Sequence, residues 1–196
     1  MGNTLVLQTI GVLTVGLVMT ALWARGPGVA AARVRAVVLA LDRVAITIAT
    51  LLACAALAVA SMAGLWQVIA RFATETPSIW SEALVRTALI WMALLGLAVA
   101  LRRGALVSID IAHRLARGST RKGLEAASLA ASTSFMGILF WFGWDMAERV
   151  RFQEMAGLEV SISWGYAAIP IGAAFALMGA IGHFLDRQAD DLEAAV

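Results

Sequence analysis

Residues 44–70 read VAITIATLLACAALAVASMAGLWQVIA, 27 consecutive residues without a charge, closed off by Arg43 on one side and Arg71 on the other. About 20 helical residues cross the roughly 30 Å hydrocarbon layer of a bilayer. In that layer every backbone N–H and C=O must find its partner inside the protein, so a lone apolar segment of this length is a helix. Working outward, four more runs qualify: Leu5–Trp23, Ala83–Leu101 with only Arg86 near one end, Ala126–Trp144 and Ser161–Leu185. No stretch alternates polar and apolar over the ten or so residues of a barrel strand. Composition agrees: the chain is 61% apolar and 14% charged over 196 residues, with a mean hydropathy of +0.85. A soluble domain carries about 25% charged residues. The expected fold is all-α, a polytopic membrane helical bundle.

The connections carry the orientation signal. Arg25, Arg33, Arg35 and Arg43 lie between the first two runs, against Asp42; Arg102, Arg103, Arg114, Arg117, Arg121 and Lys122 lie between the third and fourth. Ten of the fifteen basic residues therefore occupy alternate loops, which the positive-inside rule places in the cytoplasm. The C-terminus then falls inside and the start of the chain outside. Trp66, Trp80, Trp141, Trp144, Trp164 and Tyr166 cluster near the outer ends, as an interfacial aromatic belt does. Leu5–Trp23 reads as a retained helix rather than a secretory signal, because residues 1–4 lack Lys and Arg and the basic residues follow the apolar run. Val29–Leu41, apolar with Arg33 and Arg35 inserted, fits an interfacial helix with snorkelling arginines. The pI near 9.3 reflects these retained arginines rather than a nucleic-acid partner.

Chemistry is sparse. A single Cys54 excludes an internal disulfide and a CxxC pair, and His113 and His183 offer no facing pair for a haem. No nucleophile elbow or HExxH occurs, so no enzyme, metal or cofactor site is expected. Ionisable residues inside a membrane mark ion paths by default, and the middles of these runs hold none. A self-contained carrier or channel, acting as a homo-oligomer, is therefore the weaker alternative.

Packing and rim residues say more. Ala56, Ala60 and Gly64 on the second run, and Gly172, Ala176, Gly179 and Gly182 on the last, form small-residue stripes that let helices approach closely in lipid. At the outer ends, Gln67 and Arg71 lie four apart, as do Glu82 and Arg86 beside Trp80. The acid precedes the base, the favourable order on a helix.

In order along the chain, Trp66-Gln67-Val68-Ile69-Ala70-Arg71, then Trp80-Ser81-Glu82 with Arg86 and Trp91, then Gly96, Arg102 and Val107-Ser108-Ile109-Asp110, and finally Val160-Ser161-Ile162-Ser163-Trp164 with Tyr166 and Ile169-Pro170-Ile171-Gly172 resemble the small membrane subunit, DctQ-like, of the tripartite ATP-independent periplasmic (TRAP) transporters. The likeness covers about residues 43–187. It departs at Ala83, where the family has a second glutamate, and near Leu106, where it has a histidine.

The resemblance implies four core spanning helices in residues 43–196, preceded by an extra N-terminal helix and connection in 1–42. It implies a scaffold subunit in the bacterial inner membrane that packs against and anchors a large membrane subunit. It further implies a periplasmic binding protein as partner, an organic acid such as a C4-dicarboxylate as cargo, and sodium ions held on the large subunit, not here. Membrane lipid is the other expected contact. No residue of this chain is expected to bind substrate. The partner-interface or anchoring candidates are Gln67, Arg71, Trp80, Glu82, Arg86, Asp110 and Gly172.

Overall fold

A computed structural model describes residues 2–24, 26, 28–73, 78–104 and 119–193, with side chains over 5–24, 26, 28–73, 78–104 and 123–186. Five helices are long and apolar enough to cross a membrane. They are α1 (Gly2–Ala24), α2 (Val29–Ala73), α3 (Ile79–Arg102), α4 (Ser119–Arg149) and, after a short α5 (Ser163–Tyr166), α6 (Ala168–Glu193). The first four apolar runs seen in the sequence each lie in one of them, and the last, Ser161–Leu185, runs from just before α5 into α6. The helices outrun the runs because charge marks where hydrocarbon ends, not where helical hydrogen bonding ends. The last run differs at its start: α6 begins at Ala168, and Pro170 falls in its first turn, where a missing N–H costs nothing.

The largest extension is α2, 45 residues without a break, about 67 Å at 1.5 Å per residue. The basic stretch from Val29 to Arg43, expected as a connection with an interfacial helix, is the first third of the same helix. Ala, Val, Leu and Arg are all compatible with a helix interior, and no Gly or Pro interrupts residues 29–63.

Burial identifies the centre of the bundle. In α6, 56% of the most apolar window is buried, against 11% in α1 and α2. It packs on α3, α4 and α2, while α2 lies chiefly along α3 and α1 chiefly on α4. One core cluster joins Ala98 and Leu101 of α3, Met136 of α4, and Ala173 and Ala176 of α6. A second, at the other end, ties Ala21 and Ala24 of α1 to Leu129, Phe184 and Leu185, with Val38 and Leu39 of α2 against it. The N-terminal helix is thus a flank of the bundle. Ile10 seats against Gly137, and Ser134 Oγ donates to Thr14 Oγ1 at 3.4 Å.

Small residues set the spacings, as close packing in lipid requires. A methyl group on Gly172 would lie 2.7 Å from Leu94 Cβ and 3.3 Å from the Leu94 carbonyl atoms. On Gly179 it would meet the Ala98 carbonyl oxygen at 2.8 Å. On α2 the buried small residues are Ala31, Ala49, Ala60, Ala63 and Ala70, with Ala56 and Gly64 half-buried among them.

Candidate functional site

The end of the bundle expected to face outward is built around α3. Trp80 opens this helix and is 41% exposed. One turn further, Arg86 Nη2 donates to Glu82 Oε1 at 2.8 Å, with both side chains well exposed. Residues 153–162 fold over this end as a small hairpin. Met155 N donates to the Val160 carbonyl and Ile162 N to the Gln153 carbonyl, each at 2.8 Å. Gly157 (φ +86) lets the tip approach Trp80: a Cβ there would stand 2.9 Å from the Trp80 nitrogen. Two side-chain bonds pin the hairpin and α5 to α3: Thr87 Oγ1 to Met155 Sδ at 3.5 Å, and Trp91 Nε1 to the Trp164 carbonyl at 3.0 Å.

Between α3 and the hairpin lies a cleft of about 510 Å³, floored by Ile79, Ile90 and Ile169 and edged by Glu82, Arg86 and Glu154. Two acids against one base make its rim net acidic. Two of the expected residues, Glu82 and Arg86, therefore edge the cleft, and a third, Trp80, meets the tip of the hairpin beside it. Gln67 is half-buried and Arg71 exposed at the outer end of the neighbouring α2. Gly172 is buried inside the bundle against Leu94. Asp110 lies outside the described residues.

An exposed ion pair contributes only about 0.2–1 kcal/mol to stability. The doubly swapped variant Glu82→Arg/Arg86→Glu should consequently insert at normal levels. If the pair meets a partner, the swap presents wrong-sign charges and should reduce uptake more than membrane abundance. Parallel immunoblot, co-purification and uptake assays check this; unchanged uptake with intact co-purification reduces the pair to a local brace.

At the opposite end, the one expected to face the cytoplasm, the structure adds a cluster that reading the sequence missed. Asp42 is fully buried, and its Oδ2 accepts from Arg102 Nε at 2.5 Å; Arg102 Nη2 donates to Asp186 Oδ2 at 2.7 Å. One guanidinium thus links α2, α3 and α6. The sequence reading put Asp42 in a solvated connection, and the continuous α2 instead carries it into the bundle. Gly182 makes the room, since any Cβ there would collide with the Asp42 carboxylate. The signal was present in Gly182 and Asp186, one turn apart on the last helix and level with Arg102. It needed knowledge that the second helix begins before Asp42. Beside this cluster, His183 packs over Gly104 (φ +64), at the turn that ends α3.

Among the described residues, no group of three or more His, Cys, Asp or Glu is placed to hold a metal ion. What the arrangement does is hold helices together at one end and present a shaped, charged rim at the other.

Comparison with known proteins agrees with the residue patterns. The family described as the DctQ component of the tripartite ATP-independent periplasmic transporters matches residues 60–190. The sialic acid TRAP transporter small permease protein SiaQ of Vibrio cholerae serotype O1 is 34% identical over 114 residues, which is 56% of this chain. The match spans 64% of the Vibrio protein's length. With five apolar helices, small-residue packing throughout and a family match over most of its length, this chain belongs to the DctQ component family of the TRAP transporters.

Proposed function

We propose that this chain is the scaffold subunit of a sodium-coupled TRAP carrier for an organic acid, and that it anchors a large membrane subunit without binding substrate itself. The observation that carries this reading is how its buried charges are used. Asp42 and Arg102, in the inner third of the bundle, are committed to each other and to Asp186, and the core between α3, α4 and α6 is filled by Ala, Leu and Met. An ion or carboxylate path needs polar groups that face a cavity, and these face one another. The acidic outer cleft suits contact with a periplasmic binding protein or the large subunit. The Vibrio relative is named for sialic acid, itself a carboxylate, which supports the organic-acid class while leaving the choice of acid to the binding protein. Sodium sites belong on the large subunit.

Reconstitution decides the matter. Liposomes holding both membrane subunits and supplied with the binding protein should take up substrate in response to a sodium gradient, and liposomes holding this chain alone should not. Uptake by this chain alone would overturn the scaffold role in favour of a self-contained homo-oligomeric carrier.

We also propose an inner-membrane location with the C-terminus in the cytoplasm, since basic loops resist translocation. In a Cys54→Ala background, Phe152→Cys, exposed just before the hairpin, should react with a membrane-impermeant thiol reagent added from the periplasmic side. Gly123→Cys, in the second turn of α4, should be protected until the membrane is opened. The reverse pattern inverts the topology.

A further inference from the structure

The N-terminal helix packs along α4 and barely reaches α6. Between them it leaves a groove of about 1060 Å³, with α4 as its floor and α1 and α6 as its walls. Leu13, Gly16 and Leu17 stand on one wall, and Ala174, Leu177 and Met178 on the other. The threonines that line it are Thr14, Thr20 and Thr133. Each donates its hydroxyl to a carbonyl of its own helix at 2.7–2.8 Å. The lining therefore asks no hydrogen bond of an occupant.

Length decides what fits. From Ile10 to Thr20 the groove follows ten residues of α1, about 15 Å at 1.5 Å per residue. That is half of the roughly 30 Å hydrocarbon layer. Past Thr20 the groove is closed, because Ala21 and Ala24 are buried against Leu129, Phe184 and Leu185. A spanning helix would have to leave the groove halfway, whereas an acyl chain of one leaflet ends there. Small residues mark helix seams in lipid, but two of those here already serve contacts within the chain. Ile10 seats on Gly137, and Ala173 is buried in the core.

The open end supplies the other half of a lipid site. Phe140 and Trp141 line both the groove and an adjoining hollow of about 440 Å³, which Trp144, Asp145 and Glu148 complete. Trp141 and Trp144 are exposed, as the rings at a membrane–water boundary are, which puts the hollow at headgroup depth. The charged residues lining it are both acids, beside aromatic surface that also favours a cation. Arg149 pairs with Asp145 at 2.8 Å, and Arg151 shares a neighbouring hollow with Glu148. Acid and base thus alternate here as the charges of a zwitterionic headgroup do, with opposite sign. An anionic headgroup would meet the two carboxylates, and like-charge contact selects against it.

We propose that this chain binds one zwitterionic phospholipid, with an acyl chain in the groove between α1, α4 and α6 and the headgroup ammonium at Asp145 and Glu148. A concave apolar wall with a few polar groups at one end is the usual form of a small-ligand site. The wall that creates it, α1, stands outside residues 60–190, which match the family. The proposal is independent of the scaffold reading.

The test uses the full chain in nanodiscs of phosphatidylglycerol. A trace of phospholipid with a photoactivatable diazirine in its acyl chain is added, bearing either an ethanolamine or a glycerol headgroup on the same chains. Adducts are mapped by peptide mass spectrometry. The ethanolamine probe should label groove residues of α1, α4 and α6 at least about tenfold more than the glycerol probe, the scale of one hydrogen bond to a charged group. Exposed α2 around Leu51 should take both probes equally. Asp145→Asn/Glu148→Gln, two changes near the surface, should bring the groove ratio to about one. Gly16→Phe should cut groove labelling by a similar factor and spare α2, since no atom lies within 4 Å of a Cβ built on Gly16. Equal labelling of the groove by both probes in the unmodified chain would overturn the proposal and leave the groove to bulk lipid. So would a headgroup preference that survives the double carboxylate variant. Groove labelling that vanishes when the large membrane subunit is co-expressed would overturn it in favour of a protein occupant.

Discussion

Arg102→Leu is expected to lower the stability of the folded chain by about 3–5 kcal/mol, a large fraction of the 5–15 kcal/mol typical of a folded protein. Among the described residues, Arg102 is the hydrogen-bond donor to Asp42, whose other oxygen, Oδ1, is buried with no partner there. Removing the guanidinium leaves a fully buried carboxylate without its hydrogen-bonded cation, and Asp186 loses its link to α3 as well. Asp42→Asn should be far milder, at most about 2 kcal/mol, because Arg102 keeps Asp186 and no charge is stranded. Combining the two changes should recover part of the loss, a coupling of about 0.5–3 kcal/mol in a double-mutant cycle. Thermal unfolding in detergent and abundance in the membrane both read this. A double variant as unstable as Arg102→Leu alone would mean that Asp42 is not the group that suffers.

Gly172→Leu should be comparably damaging for a different reason. The first added carbon already falls 2.7 Å from Leu94 Cβ and close to the Leu94 carbonyl, so α3 and α6 must separate along the most buried helix of the bundle. Overpacking of this kind costs about 1–3 kcal/mol or more, on the order of 5–10 °C in Tm for a chain of this size. Gly96→Leu is the matched control, since no atom lies within 4 Å of a Cβ built there. Unfolding midpoints that fall for Gly172→Leu and hold for Gly96→Leu would place the damage inside this chain. A normal midpoint with lost co-purification would instead put Gly172 at the large subunit.

The outer rim was largely legible before any coordinates. Glu82 and Arg86 are local partners on one helix, and a spacing of four suffices to pair them. The cleft they edge was not, because its other wall is a hairpin held by Gly157 and by bonds from Thr87 and Trp91 to residues more than sixty positions away. The small-residue stripe on the last helix was legible as a packing device. Which neighbour each glycine meets was not: Gly172 meets α3, whereas Gly182 meets a carboxylate on α2.

Hydropathy by itself determines that this chain carries five helices, among the described residues, long and apolar enough to cross a membrane. Burying a backbone or a charge in hydrocarbon is so costly that composition alone leaves no other arrangement. The motif order likewise carries the family. What only the tertiary structure decides is how helices far apart in sequence are matched in depth and rotation. Nothing local to Asp42 tells whether it faces water or protein. It is buried because α2 starts thirteen residues earlier, α6 offers a glycine at the same level, and α3 ends in an arginine there. Such a site exists only once three helices have packed, and its energy depends on the low dielectric and the partners that packing creates.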